Sequence, residues 1–167
     1  MYTDRFSLAD DYIVHLDHMM AGIGDPFIQS RYLGFIAISA VTVYELAIKD
    51  IFYEFADRKH SVLGNATRYK FEQINGRIKI QSLKQEHIGP FGQKYVKRFE
   101  KKLEIAEKIS LESRLGSIKS AYGNIISWRH TFVHSGEAPN TTTYQEVKRA
   151  YETGRGVLHV LNETMRR

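Results

Sequence analysis

Leu8, Tyr12, Leu16 and Met19 recur at steps of three and four, the spacing of one helix face, and the pattern stops at Gly22 and Gly24. Asp25-Pro26 then sets an N-cap residue before a proline at the first helical position. The helix it opens is carried by Phe35, Ile38, Val41, Leu46, Ile48, Ile51 and Phe55 to about Arg58. From Tyr32 to Tyr44 this segment is apolar nearly all the way round, which implies burial between other helices or against a second subunit. Arg31 and Glu45 bound the run, well short of the roughly 20 residues a membrane span requires.

Between Ser61 and Gly92 the pattern loosens. Tyr69, Phe71, Ile74 and Ile78 fit a short amphipathic helix, and Gly89-Pro90 closes the stretch. A clearer helix runs from Phe91 to Leu111 through Tyr95, Phe99, Leu103, Ala106 and Ile109. Lys94, Lys97, Arg98, Lys101, Lys102 and Lys108 are spread along it, diluted by Glu100, Glu104 and Glu107, so a solvated face competes with phosphate contact as their explanation. The next helix spans Arg114 to Val133 through Leu115, Ile118, Tyr122, Ile125, Ile126, Trp128 and Phe132 and ends at Ser135-Gly136. After the loop EAPNTT, Thr143-Tyr144-Gln145-Glu146 matches a capping box. The last helix carries Val147, Ala150, Tyr151, Val157, Leu158 and Leu161 despite Gly154 and Gly156, each costing about 1 kcal/mol relative to alanine. With no alternating strand pattern, the prediction is an all-α bundle of four to five main helices, one domain over residues 1–167.

Composition narrows the function classes. A chain of 167 residues can bury roughly 70% of its unfolded surface and needs no staples. The absence of cysteine excludes disulfides and thiolate metal sites and fits a reducing compartment. No secretory signal or membrane span is recognisable, so the expectation is a cytoplasmic protein with no membrane partner. A net charge of +5 and a pI near 9.3 favour a polyanionic partner without requiring one. Pro26, Pro90 and Pro139 punctuate segments rather than divide domains.

One stretch departs from ordinary surface chemistry. Ser127 to Gly136, SWRHTFVHSG, sets Arg129, His130 and His134 among aromatics at the end of a helix. His130 and His134, four apart, share a face as zinc ligands do in HExxH helices, but Thr131 stands where the glutamate would be and no third ligand can be nominated. A structural reading also holds: Trp128 and Phe132 pack inward while cations favour the carbonyl end of the helix by roughly 0.3–1 kcal/mol. The third reading pairs Arg129 with His134. In a regular helix they point about 140° apart. A turn or fraying at Ser135-Gly136, with the reach of arginine, would let both border one groove.

An all-α chain with a nearly apolar second helix, an R-x4-H late in the helix order, a polar residue after the arginine, a glycine turn and one closing helix resembles the HEPN superfamily, in particular its RiboL-PSP-like members. The resemblance implies a metal-independent ribonuclease that needs no cofactor, works as a homodimer with its two motifs facing each other, and serves as a toxin or antiviral effector restrained by an antitoxin or inhibitor protein. It also implies an acidic residue on the second helix near the motif, here Glu45. That carboxylate, the first charge after a long uncharged run, needs a cation. Lys49 at i+4 and Arg129 are equal candidates.

The residue types suit RNA cleavage. A histidine with an ordinary pKa near 6.5 can take and return a proton near neutrality, worth a factor of about 10²–10⁴. His134 would draw the proton from an RNA 2′-hydroxyl, and Arg129 would hold the phosphate as it gains charge. His130 would carry a second proton or orient the RNA. Two readings from other classes stand beside this one: a non-catalytic HEPN-like module binding a nucleotide, RNA or protein through Arg129, and a scaffold in which the motif is structural.

Overall fold

Four of the helices start where a side chain takes up amide donors that have no partner within the helix. The computed structural model describes residues 1–72, 74, 76–136 and 142–166. A 3₁₀ turn, Tyr2–Arg5, leads into α1 (Phe6–Met20). The Asp25 carboxylate accepts from the Phe27 amide at 2.8 Å and starts α2, Pro26–Lys59. His60 Nδ1 accepts from the Val62 amide at 3.2 Å and starts α3, Ser61–Phe71. The one-turn α4 (Ile80–Ser82) runs into a π turn, Leu83–Ile88, and a 3₁₀ turn, Gly89–Phe91. Then come α5 (Gln93–Glu112), α6 (Ile118–Ser135) and α7 (Tyr144–Met165). The capping box forms as its sequence pattern requires: the Glu146 amide donates to Thr143 Oγ1 at 3.2 Å and the Thr143 amide to Glu146 Oε2 at 2.7 Å. Of the loop EAPNTT, residues 137–141 lie outside the described residues.

Among the described residues five helices of 15 to 34 residues make an all-α bundle, supplemented by α3 and α4. Three details differ from the sequence pattern. In α1 the buried stripe is Phe6, Ala9, Ile13, Leu16 and Met20, while Leu8 and Met19 face outward. Both stripes have helical spacing, and packing against α2 selects between them. The middle helix lies at Ser61–Phe71, because His60 caps it, and Ile74 and Ile78 are buried from irregular chain beyond it. Finally, α6 begins at Ile118, not Arg114: Arg114 (φ 59°) and Gly116 (φ 96°) form a turn, and Ser117 Oγ accepts from the Ser120 amide at 3.0 Å.

The core forms around α2, which α1, α3, α6 and α7 all touch. Tyr44 of α2 stacks between Tyr122 of α6, centroids 5.3 Å apart, and Tyr151 of α7 at 5.8 Å. Its hydroxyl donates to the Tyr151 carbonyl at 2.6 Å. This close approach explains a glycine inside α7: a Cβ at Gly154 would lie 2.7 Å from Tyr44 Oη and 3.1 Å from Tyr122 Cα. The apolar run of α2 buries Leu33, Ile36, Ala37, Ala40, Val41, Val43 and Tyr44 but leaves Phe27, Ile28 and Phe35 at 66%, 42% and 44% exposure. No helix among the described residues is long and apolar enough to cross a membrane.

Candidate functional site

Two contacts fix how α6 lies on α2. Tyr122 stacks on Tyr44, and Phe132 covers Gly34, where a Cβ would overlap the Phe132 ring. Moving forward on α6 corresponds to moving back on α2, so the helices are antiparallel. Tyr122, Ile125 and Ile126 form the buried face of α6. Arg129 lies about two turns beyond Tyr122 and therefore on the same face, half-buried where the core gives out. Helical side chains lean towards the N-terminus of their own helix. In an antiparallel pair this inclines Arg129 and Glu45 of α2 towards each other.

Between them stands one glycine. Gly76, at φ 76°, donates its amide to Glu45 Oε1 at 2.7 Å. A Cβ on it would lie 3.7 Å from Arg129 Nη1 and 3.9 Å from Glu45 Oε1. The carboxylate and the guanidinium thus flank the same stretch of backbone. They form no ion pair, and among the described residues Arg129 makes no hydrogen bond. The i,i+4 pairing of Glu45 with Lys49 is not formed either: Lys49 Nζ donates instead to the Glu72 carbonyl at 3.2 Å. The Gly76 amide is a donor already fixed in place, whereas a surface lysine must give up side-chain freedom for a gain of about 0–1 kcal/mol.

The segment carrying Gly76 is held from three sides. Lys49 takes Glu72, His87 Nε2 bonds the Arg77 carbonyl at 2.7 Å, and the Tyr122 hydroxyl donates to the Ile78 carbonyl at 2.7 Å. Since a carbonyl only accepts, His87 carries its proton on Nε2. Burial pushes the Tyr122 phenol well up, with the nearby Glu45 carboxylate adding to the effect, so the hydroxyl stays a donor. Burial pushes the His87 imidazole down and keeps it neutral.

His130 and His134 are both exposed, with ring centroids 4.3 Å apart. They lie about 100° and 140° round α6 from Arg129, on the flank opposite Trp128. The helix stays regular through Ser135, and Gly136 (φ 68°) ends it with its amide on the Phe132 carbonyl at 2.9 Å. The turn thus comes after His134, too late to swing that imidazole round to Arg129. Exposed Val133 lies between the two directions. Among the described residues no third His, Cys, Asp or Glu joins the histidine pair in a metal-sized cluster. Along α5, Lys102 pairs with Glu163 at 2.7 Å and Lys108 with Glu112 at 3.7 Å, so part of that basic face is already engaged.

The family model RiboL-PSP-HEPN matches residues 3–166, with the R-x4-H on α6 inside the matched span. The chain belongs to that family. Comparison with curated proteins and with solved structures finds no match. In this RiboL-PSP-HEPN chain the structure brings Arg129 to Glu45, His130 to His134, and Lys49 to neither cluster. Sequence reasoning missed Gly76, Tyr122 as the residue that orients α6, and the Gly34–Phe132 contact. The Asn75-Gly76 dipeptide was the available signal, a turn mark whose tertiary partner a sequence does not name.

Proposed function

We propose that this chain is a metal-independent endoribonuclease acting as a homodimer, with RNA as substrate. The observation that carries this reading is Arg129: a half-buried arginine in a RiboL-PSP-HEPN R-x4-H motif, its guanidinium beside Gly76 as is the Glu45 carboxylate, but bonded to no group among the described residues. A guanidinium left without an anion in such a position suits a phosphate brought from outside. His134 takes the 2′-hydroxyl proton, the 2′-oxygen attacks the adjacent phosphorus, the 5′-oxygen of the next nucleotide leaves, and the product ends in a 2′,3′-cyclic phosphate. Arg129 holds the equatorial oxygens as charge builds on them. His130, in ring contact with His134, would return a proton to the leaving oxygen or orient the RNA.

Because Arg129 and His134 diverge within one protomer, the working site needs both groups from a pair of chains around a two-fold axis. Exposed Phe27, Ile28 and Phe35 on α2, with Val133 on α6, supply an apolar surface beside the motif for that pairing. An effector role, as a toxin or antiviral nuclease held in check by an antitoxin or inhibitor, follows from the same reading. The test is single-stranded RNA incubated with the chain in excess EDTA: cyclic-phosphate ends are expected, and an RNA with a 2′-deoxy linkage should resist at that linkage. Unchanged cutting by His134→Ala contradicts the mechanism. The divergence of the two groups also favours a second reading, a binding module in which Arg129 grips phosphate without cleavage; salt-sensitive RNA binding with intact RNA would establish it.

A further inference from the structure

We infer that the cavity between α3, residues Glu72, Ile74 and Arg77, and the π turn is a guanine-binding subsite that selects which nucleotide lies next to the cleaved linkage. This inference rests on the RNA-cleaving reading above. The cavity has a volume of about 380 Å³, and Tyr69, Lys70, Glu72, Arg77, Glu86 and His87 line it. Its position is set by the chain itself: Arg77 in its wall follows Gly76, the residue that meets Arg129.

The charge pattern decides the ligand class. Two carboxylates and two cations line one cavity, yet among the described residues the Glu72 and Glu86 carboxylates and the Arg77 guanidinium form no ion pair. A phosphate would meet repulsion from both carboxylates. A neutral group with donors on one edge and acceptors on another matches all of them. A nucleobase is such a group, and RNA readers take up unstacked bases by their edges and stack them on aromatic rings. Tyr69, 84% exposed, offers that ring at the rim.

Among the four bases, guanine alone places two adjacent donors, N1–H and N2–H₂, where one carboxylate can accept both. It also presents O6 and N7 as acceptors for a guanidinium. Adenine, cytosine and uracil lack the paired donors. Lys70 Nζ is already committed to the Glu86 carbonyl at 2.6 Å and ties α3 to the π turn. His87, only 7% exposed and packed on Phe71 with centroids 5.0 Å apart, fixes Arg77 through its carbonyl. The cavity is thus held in shape while its two carboxylates and the Arg77 guanidinium stay available.

The test is equilibrium binding of the full chain to the four nucleoside 5′-monophosphates and to inosine 5′-monophosphate, alongside mapping of cut sites in an RNA containing all four bases. Guanosine monophosphate should bind about tenfold more tightly than the adenosine, cytidine and uridine forms, and inosine monophosphate, lacking the N2 amine, should lose most of that advantage. The double variant Glu72→Gln, Glu86→Gln should remove the preference, and cut sites should spread from guanosine to all bases. Equal binding of all five nucleotides, or cutting without guanosine bias, overturns the subsite and leaves the nuclease reading intact. A guanosine preference in binding with no RNA cut supports the subsite and removes the nuclease reading. The inosine comparison needs no substitution, so it decides the matter even if the double variant fails to fold.

Discussion

Toward its N-terminus α6 is tied to the rest of the molecule. Ser117 Oγ donates to Glu107 at 2.5 Å, Lys119 pairs with Glu104 at 2.5 Å, and Tyr122 is fully buried with its hydroxyl on the Ile78 carbonyl. Toward its C-terminus the same helix carries Arg129, which among the described residues makes no hydrogen bond or ion pair, and two histidines in ring contact with each other. One helix therefore combines inward residues that fix its position, Tyr122 and at its far end Phe132, with a C-terminal flank of Arg129, His130 and His134 that is left available to an external ligand. Buried polar groups are normally hydrogen-bonded, as Tyr122 is, and the contrast with Arg129 separates the two roles along one continuous element.

That contrast can be broken by substitution. The largest effect belongs to Tyr122→Ala, which removes a fully buried ring and the clamp on Ile78. Urea denaturation should show about 3–5 kcal/mol lost, and a loss under about 1 kcal/mol would mean this half does not position the site. Gly34→Ala comes next: the added methyl must displace Phe132, with about 1–3 kcal/mol of overpacking read in the same denaturation, and RNA cleavage should fall with it because Phe132 sits beside Arg129. An unchanged midpoint would show that the Gly34 contact does not hold the helix end.

Acid should act through His87. Its folded-state pKa lies below the ordinary 6.5 because burial disfavours the charged form. The unfolded chain binds that proton first, so stability is fully present above pH 6.5 and declines as pH falls towards the folded pKa, by at most about 1.4 kcal/mol per pH unit. His87→Gln should flatten this part of the profile, and an unaltered slope would assign the acid sensitivity elsewhere. The smallest stability effects belong to the open half: Arg129→Ala and His134→Ala should each change stability by no more than about 0.5 kcal/mol while removing cleavage. Destabilisation of several kcal/mol by either would make the motif structural.

The sequence showed most where signals are local. Asp25-Pro26, the Thr143–Glu146 capping box and Ser135-Gly136 each satisfy or end a helix within a few residues, and all three boundaries stand where the pattern put them. The middle was less legible. His60, a rare capping residue, starts α3, and an αL arginine at position 114 delays α6. The polypeptide around Gly76 lay beyond reach because its partners come from α2, the π turn and α6, and no periodicity encodes a backbone amide meeting Glu45 from 31 positions away. Arg129, His130 and His134 could be picked out by type and spacing. That Lys49 would turn from Glu45 to the Glu72 carbonyl depended on where an irregular loop came to rest.

In the proposed dimer, Arg129 of one chain and His134 of another close on one RNA linkage. The most direct measurement is the cleavage rate of an equimolar, re-equilibrated mixture of the Arg129→Ala and His134→Ala chains, each inactive alone. Mixed dimers retain one intact arginine and one intact histidine across the interface, so activity should return to about a quarter of the unsubstituted rate. A mixture no more active than its separate components would contradict the account.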